Sequence, residues 1–134
     1  MNRRWRVILI PVLILAASLP PLVSRAAYSK NAFEKEMEEL NRRARVILGA
    51  LIAEDWGKLS NESSALAGQA RSVHDLTPKT GTDRIGEFQA AADSLGARAA
   101  RLAQAAKERN GAAAARFLGE TVGACVSCHA VFRK

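Results

Sequence analysis

The chain has 134 residues, and its 20 lysines and arginines against 13 aspartates and glutamates give a formal net charge of +7. Four of those arginines and none of the acids lie in residues 1–26, so residues 27–134 carry 16 basic and 13 acidic side chains, a net charge of +3. No basic run is interleaved with aromatic residues, which argues against nucleic-acid binding. The length suits one small domain with a modest core.

The amino terminus is typical of a secretory signal peptide. Three arginines fall within residues 1–6, residues 7–23 are almost wholly apolar, and small residues precede a cleavage site after Ala26. We therefore predict that residues 1–26 are removed on export to the periplasm, which leaves no stable membrane association. The alternative is an uncleaved leader that anchors the same domain, because its apolar run is long enough to span a membrane.

The rest of the chain is predicted to be helical. It is rich in Ala, Leu, Glu, Arg and Lys and has no alternating strand pattern. Asn31 followed by Glu34 predicts the start of the first helix, and Asp55 predicts the cap of the second. Steps of three and four place the apolar positions of each helix on one face that packs against a core. These positions are Phe33, Met37, Leu40, Ala44, Ile47 and Leu51, then Trp56, Leu59, Ser63, Leu66, Ala70 and Val73.

Two further helices follow a loop. Pro78 and Gly81 mark residues 76–83 as the longest break in the pattern, and an Asn-Gly pair at 110–111 separates the third helix from the fourth. The two stripes are Ile85, Phe88, Ala92, Leu95, Ala99, Leu102 and Ala106, then Ala115, Leu118, Val122, Cys125, His129 and Phe132. Helices of about 20 residues with short connections predict one all-α domain over residues 27–134, an antiparallel up-down four-helix bundle.

Near its carboxyl end the chain reads Cys125-Val126-Ser127-Cys128-His129, the C-x-x-C-H spacing of c-type haem attachment. In that chemistry the two thiols bond the vinyl groups of one haem and the histidine ligates the iron. These are the chain's only two cysteines, and a disulfide between them would close a loop too small to stabilise the fold. The stripe of the fourth helix predicts that Cys125 and His129 point into the bundle.

Met37 is the candidate for the iron's other axial position. It is the single methionine of residues 27–134, and it lies in the apolar stripe of the first helix. Because antiparallel packing places an early residue of the first helix at the same end as a late residue of the fourth, Met37 and His129 can flank one cofactor. Met/His ligation raises the reduction potential of a haem. The other interpretation is that Met37 only fills the core.

These features resemble the cytochrome c-prime superfamily, exported four-helix bundles with C-x-x-C-H near the carboxyl end. The chain especially resembles the low-spin members, in which a first-helix methionine is the sixth ligand. Two segments are also similar to the soluble b-type four-helix cytochromes: Met37-Glu38-Glu39-Leu40-Asn41 and His129-Ala130-Val131-Phe132-Arg133. The resemblance implies one covalent haem c held by Cys125 and Cys128, axial ligands His129 and Met37, Phe88 packed on the haem, and Arg133 near a propionate. Arg133 can equally complement the carbonyl end of the last helix.

Three functions are compatible with these residues. The first is one-electron transfer between unidentified redox proteins, without enzymatic activity. The second is five-coordinate binding of NO or CO, which requires that Met37 does not reach the iron. The third is a haem-free zinc or thiol-redox protein, but the motif supplies only three zinc ligands and lies far from a helix amino terminus. The resemblance is compatible with a monomer or with a homodimer formed through the first two helices.

Overall fold

A computed structural model describes residues 27–133, so the predicted signal peptide lies outside the described residues. Four helices follow one another, with a 3-10 turn at Thr82–Arg84: α1 (Lys30–Ile52), α2 (Trp56–His74), α3 (Ile85–Lys107) and α4 (Gly111–Phe132). The described part of the chain contains no β-strand. None of its helices has a stretch long and apolar enough to cross a bilayer. The predicted all-α fold is confirmed.

Side-chain caps determine where α2 and α4 begin. Asp55 accepts a hydrogen bond from the backbone N–H of Lys58 at 3.0 Å and caps α2, as the sequence predicts. Asn110 accepts from the N–H of Ala113 at 3.0 Å and caps α4. Each cap satisfies an N–H that has no partner within its helix and is worth about 1 kcal/mol.

The predicted start of α1 at Asn31 is wrong. Ser29 is the cap, because its hydroxyl oxygen accepts from the N–H of Ala32 at 3.4 Å and Lys30 is already helical. Serine and asparagine cap helices about equally well, so the residue type alone does not choose between them. Asn31 therefore lies within the first turn, with its side chain exposed.

The four helices pack in chain order around one core. α1 packs on α2, α2 on α3 and α3 on α4, whereas the contact between α1 and α4 that closes the bundle is much smaller. The buried positions of the first three predicted stripes face this core, as predicted. They are Leu40 and Ile47 on α1; Leu59, Ser63, Leu66, Ala70 and Val73 on α2; and Phe88, Ala92, Leu95, Ala99, Leu102 and Ala106 on α3.

Three aromatic rings connect α1, α3 and α4 at one end of the bundle. The ring centroids of Phe33 and Phe88 lie 6.1 Å apart, and those of Phe88 and Phe132 lie 5.3 Å apart in an edge-to-face arrangement. Aromatic pairs of this kind contribute about 0.5–1.5 kcal/mol beyond the area they bury. This aromatic layer (Phe33, Phe88 and Phe132) lies at the end of the bundle where α1 begins and α4 ends.

A charged network joins α1 to α2. Arg43 donates to Glu62 at 2.9 Å and pairs with Glu39 at 2.7 Å. Arg42 donates to both carboxylate oxygens of Glu39, at 2.7 and 2.8 Å. The hydrogen bond from Arg42 is the main reason that the pKa of Glu39 falls to about 2. Arg43 thus links α1 to α2 through Glu62, while Glu39 pairs with it from within α1.

Candidate haem-attachment site

The C-x-x-C-H motif lies in the last third of α4. Cys125 and Cys128 are free thiols, and both are half-buried where they pack against the hydrophobic core. Residues three apart on a helix lie on neighbouring positions of one surface, so the two sulfur atoms are presented side by side. The helix continues through His129 to Phe132, which keeps all three motif side chains on one rigid element.

The predicted core stripe of α4 is partly wrong. Leu118 and Phe132 are buried as expected, but Ala115, Val122 and His129 are exposed. The other buried positions are Ala114, Thr121 and Ala124. α4 is apolar around most of its circumference, so its pattern fits more than one rotation about the helix axis. Packing against α3 selects the rotation, and it leaves His129 at the surface.

His129 lies on the flank of α4 that faces away from α3. Arg98 of α3 donates to the backbone oxygen of Glu120 at 2.8 Å, which places the Glu120 flank against α3. Successive helical residues are rotated by about 100°, so a residue nine positions later lies on the opposite flank. That residue is His129, and the other neighbour of α4 in the bundle is α1. His129 is therefore on the side of α4 that does not pack against α3, and its side chain is exposed.

The motif side chains are neutral at ordinary pH. Partial burial, aided by the charge of Arg133, lowers the pKa of His129. Burial raises the pKa of both Cys125 and Cys128. The imidazole makes no hydrogen bond with any described residue. A neutral imidazole with an available lone pair beside two unpaired thiols fits the donor set of a c-type haem.

Met37 lies at the same level of the bundle as His129. Met37 is half-buried against the core, one turn into α1 from Phe33. His129 is nearly one turn into α4 from Phe132. Phe33 and Phe132 both contact Phe88, so they share one layer, and a helix rises about 1.5 Å per residue. Met37 and His129 therefore lie about 6 Å and about 4.5 Å inward from the aromatic layer, on adjacent helices.

The two remaining predicted contacts lie in the same region. Phe88 is only 1% exposed and is the central ring of the aromatic layer. Arg133 is exposed just beyond α4, and its backbone N–H donates to the carbonyl oxygen of His129 at 3.2 Å. Its charge also contributes to the lowered pKa of His129. Whether either residue contacts a haem stays a prediction.

The geometry does not favour the two haem-free alternatives, a thiol-redox protein and a zinc protein. Thiol–disulfide chemistry needs a thiol whose pKa is lowered, and burial has the opposite effect on Cys125 and Cys128. Within residues 27–133, no three His, Cys, Asp or Glu side chains form a group that could hold a metal ion. The alternative of a zinc site is therefore not supported by the described residues.

Sequence reasoning missed the loop that contacts the end of α4. Thr80, Gly81 and Arg84 all approach Phe132, three residues beyond His129. The sequence marked this segment only as a break between helices. Gly81 was the available signal, because a glycine in a loop indicates either a positive φ or a close approach.

Residues 82–133 match the family model of cytochrome c'. The matched segment covers the 3-10 turn, α3 and α4, and it includes the whole C-x-x-C-H motif. No curated protein and no solved structure matches the chain. The sequence of the 3-10 turn, α3 and α4 is therefore similar to that of cytochrome c', which supports the predicted resemblance to the cytochrome c-prime superfamily.

Proposed function

We propose that this chain is an exported monohaem c-type cytochrome that passes single electrons between redox proteins. Cys125 and Cys128 would hold the haem covalently, and His129 and Met37 would be its axial ligands. Export is proposed from the arginines and apolar run of residues 1–26. The partners would be redox proteins of the same compartment, and the chain itself would not be an enzyme.

The observation that carries this proposal is the common level of Met37 and His129. The two axial ligands of a haem iron approach it from opposite faces, so they must come from facing elements at one height. Met37 and His129 lie on neighbouring helices at similar distances inward from the aromatic layer, and this similar height supports the proposal. A thioether ligand favours ferrous iron and so raises the reduction potential.

Each side chain has a defined role in this proposal. A bound haem supplies the one-electron chemistry of its iron. Cys125 and Cys128 would fix the group to α4 by two thioether links, and the imidazole of His129, whose pKa is lowered, would offer its lone pair to the iron. The buried Phe88 holds α1 and α4 at a constant spacing. A constant spacing limits rearrangement when the charge on the iron changes.

Covalent attachment is tested by haem staining. The full-length chain is expressed in a host that matures c-type cytochromes and is run on a denaturing gel. We expect a haem-stained band for the wild type and for Ser127→Ala, and no stain when Cys125 and Cys128 are both replaced by Ala. A colourless wild-type band would contradict the proposal.

The ligand role of Met37 is tested by optical spectra with and without CO. We expect a low-spin wild type that does not bind CO in the ferrous state, and a high-spin Met37→Ala that binds it readily. Leu51→Ala is the matched control, because Leu51 is also a half-buried apolar residue of α1 but lies near the opposite end of that helix. It should keep the wild-type spectrum.

Gas binding is the second candidate function. Met37 already packs against the hydrophobic core, as a methionine without any ligand role would. In that case the side of the iron opposite His129 would be open to NO or CO. A wild-type protein that is high-spin and binds CO readily would select this function over electron transfer.

A further inference from the structure

The loop between α2 and α3 is hydrogen-bonded to the last turn of α4 and packs against it. The hydroxyl of Thr80 donates to the backbone oxygen of Phe132 at 3.1 Å, across 52 residues of sequence. That oxygen is one of the last four carbonyls of α4, which have no partner within their own helix. A loop side chain therefore satisfies the end of the helix that carries the motif.

Gly81 permits this close approach. Its φ of 71° lies in the left-handed region, which side chains other than glycine rarely adopt. A Cβ at this position would lie 3.1 Å from both Cδ1 and Cε1 of Phe132. Both the backbone conformation and the space above the ring thus require glycine. With a larger residue here, the loop or the Phe132 ring would have to shift by a few tenths of an ångström.

Arg84 completes the contact. Its guanidinium lies 5.8 Å from the centroid of the Phe132 ring, within the range of a cation–π interaction. Glu87 holds the guanidinium in place by accepting two hydrogen bonds, one of them at 2.8 Å. Phe88 packs edge-to-face against another part of the same ring. The Phe132 side chain is therefore held from two different elements.

The last turn of α4, which the loop contacts, includes His129. Phe132 follows His129 by three residues, so the two side chains are neighbours on the helix surface. Any rotation or fraying of the last turn of α4 would move both residues together. Groups that do not touch a metal but hold its ligands in place commonly tune the metal's affinity and reduction potential. The loop has the contacts needed for that role.

We propose that Thr80 and Gly81 are positioning residues for the axial histidine: the α2–α3 loop fixes the last turn of α4 and thereby the orientation of His129. The role in ligation rests on the proposed function, because it requires His129 to bind haem iron. The contacts themselves involve only the chain's own residues.

Thr80→Val removes the hydroxyl while keeping the shape of the side chain. In the haem-loaded full chain, we expect amide hydrogen exchange in the last turn of α4 to become about fivefold faster, the effect of losing one hydrogen bond. The reduction potential and the low-spin spectrum should shift as well. Thr80→Ser keeps the hydroxyl, so its amide exchange, reduction potential and spectrum should match those of the wild type. Thr82→Val is the matched control, because Thr82 is an exposed threonine of the same loop.

Gly81→Ala tests the close approach separately. It should produce the larger change, because the alanine is strained at this φ and its methyl group meets the Phe132 ring. We expect more than a tenfold increase in exchange of the last-turn amides, the effect of about 1.4 kcal/mol or more at a strained site.

The outcomes separate this inference from the proposed function. Faster exchange in Thr80→Val with an unchanged potential and spectrum would overturn the positioning role, as would unchanged exchange in both Thr80→Val and Gly81→Ala. A wild-type chain that carries no haem would overturn the proposed function and, with it, the role in ligation. Haem staining of each preparation identifies which of the two has failed.

Discussion

The α2–α3 and α1–α4 interfaces differ in how closely their helices approach. At the α2–α3 interface, a Cβ added to Gly96 would lie 3.3 Å from the Cβ of Ala70 and 3.4 Å from the backbone oxygen of Ala67. α1 and α4 touch much less, and α4 leaves Val122 46% exposed on the flank that carries His129. The first interface is built from small residues that stabilise the fold. The second is the looser interface, and it joins the two helices that carry the proposed haem ligands.

Removing a core side chain of α3 should have the largest effect. Leu102 is fully buried, so we expect Leu102→Ala to lower the free energy of unfolding by about 2–5 kcal/mol through lost burial and a cavity. Val126 of α4 is 63% exposed, and Val126→Ala should change it by less than about 0.5 kcal/mol. Urea unfolding of both variants measures the difference. Equal losses would show that α4 is covered where the structure leaves it exposed.

Replacing Gly96 by a larger residue at the α2–α3 interface should have an intermediate effect on the free energy of unfolding. Gly96→Leu forces α2 and α3 apart, and we expect a loss of about 1–3 kcal/mol. Gly68 lies within α2 with open space around it, so Gly68→Leu should be neutral or stabilise by up to about 1 kcal/mol, because leucine favours helix more than glycine does. Thermal unfolding of the pair checks the sign. A stabilising Gly96→Leu would contradict the tight interface.

The ion pairs of Glu39 within α1, beside the contact with α2, should give the smallest effect, and the effect should depend on pH. The folded-state pKa of Glu39 is lowered from 4.5 to about 2. The carboxylate therefore stabilises the fold fully above pH 4.5, and this contribution is lost as the pH falls towards 2. The difference in Tm between wild type and Glu39→Gln should be present at pH 7 and vanish near pH 2. Glu38→Gln, at an exposed neighbouring position, should show no such difference.

Local signals predicted most of the fold. Asp55 caps α2 as predicted, because an acceptor just before an apolar stripe leaves one place for the helix to begin. The stripe of α3 was also predicted well, since residues such as Glu87, Asp93 and Arg101 mark its outer side. α1 was misplaced at its start because two acceptable caps, Ser29 and Asn31, lie two residues apart.

The site was harder to predict because its geometry depends on tertiary packing. The motif gave the identities of Cys125, Cys128 and His129, but the rotation of α4 follows from its contact with α3, and few polar residues in α4 mark one side of the helix. The contact between Thr80 and Phe132 joins distant parts of the chain. No periodic pattern encodes such a contact.

The ring centroids of Tyr28 and Phe33 lie 6.1 Å apart, so Tyr28 extends the aromatic layer towards the amino terminus of the described chain. The chain therefore enters the bundle at the same end as the C-x-x-C-H motif. A leader that stayed attached would leave from that end. A membrane-tethered form would then hold the end with the C-x-x-C-H motif towards the bilayer surface, and the opposite end, with the exposed Ile52, would face the compartment.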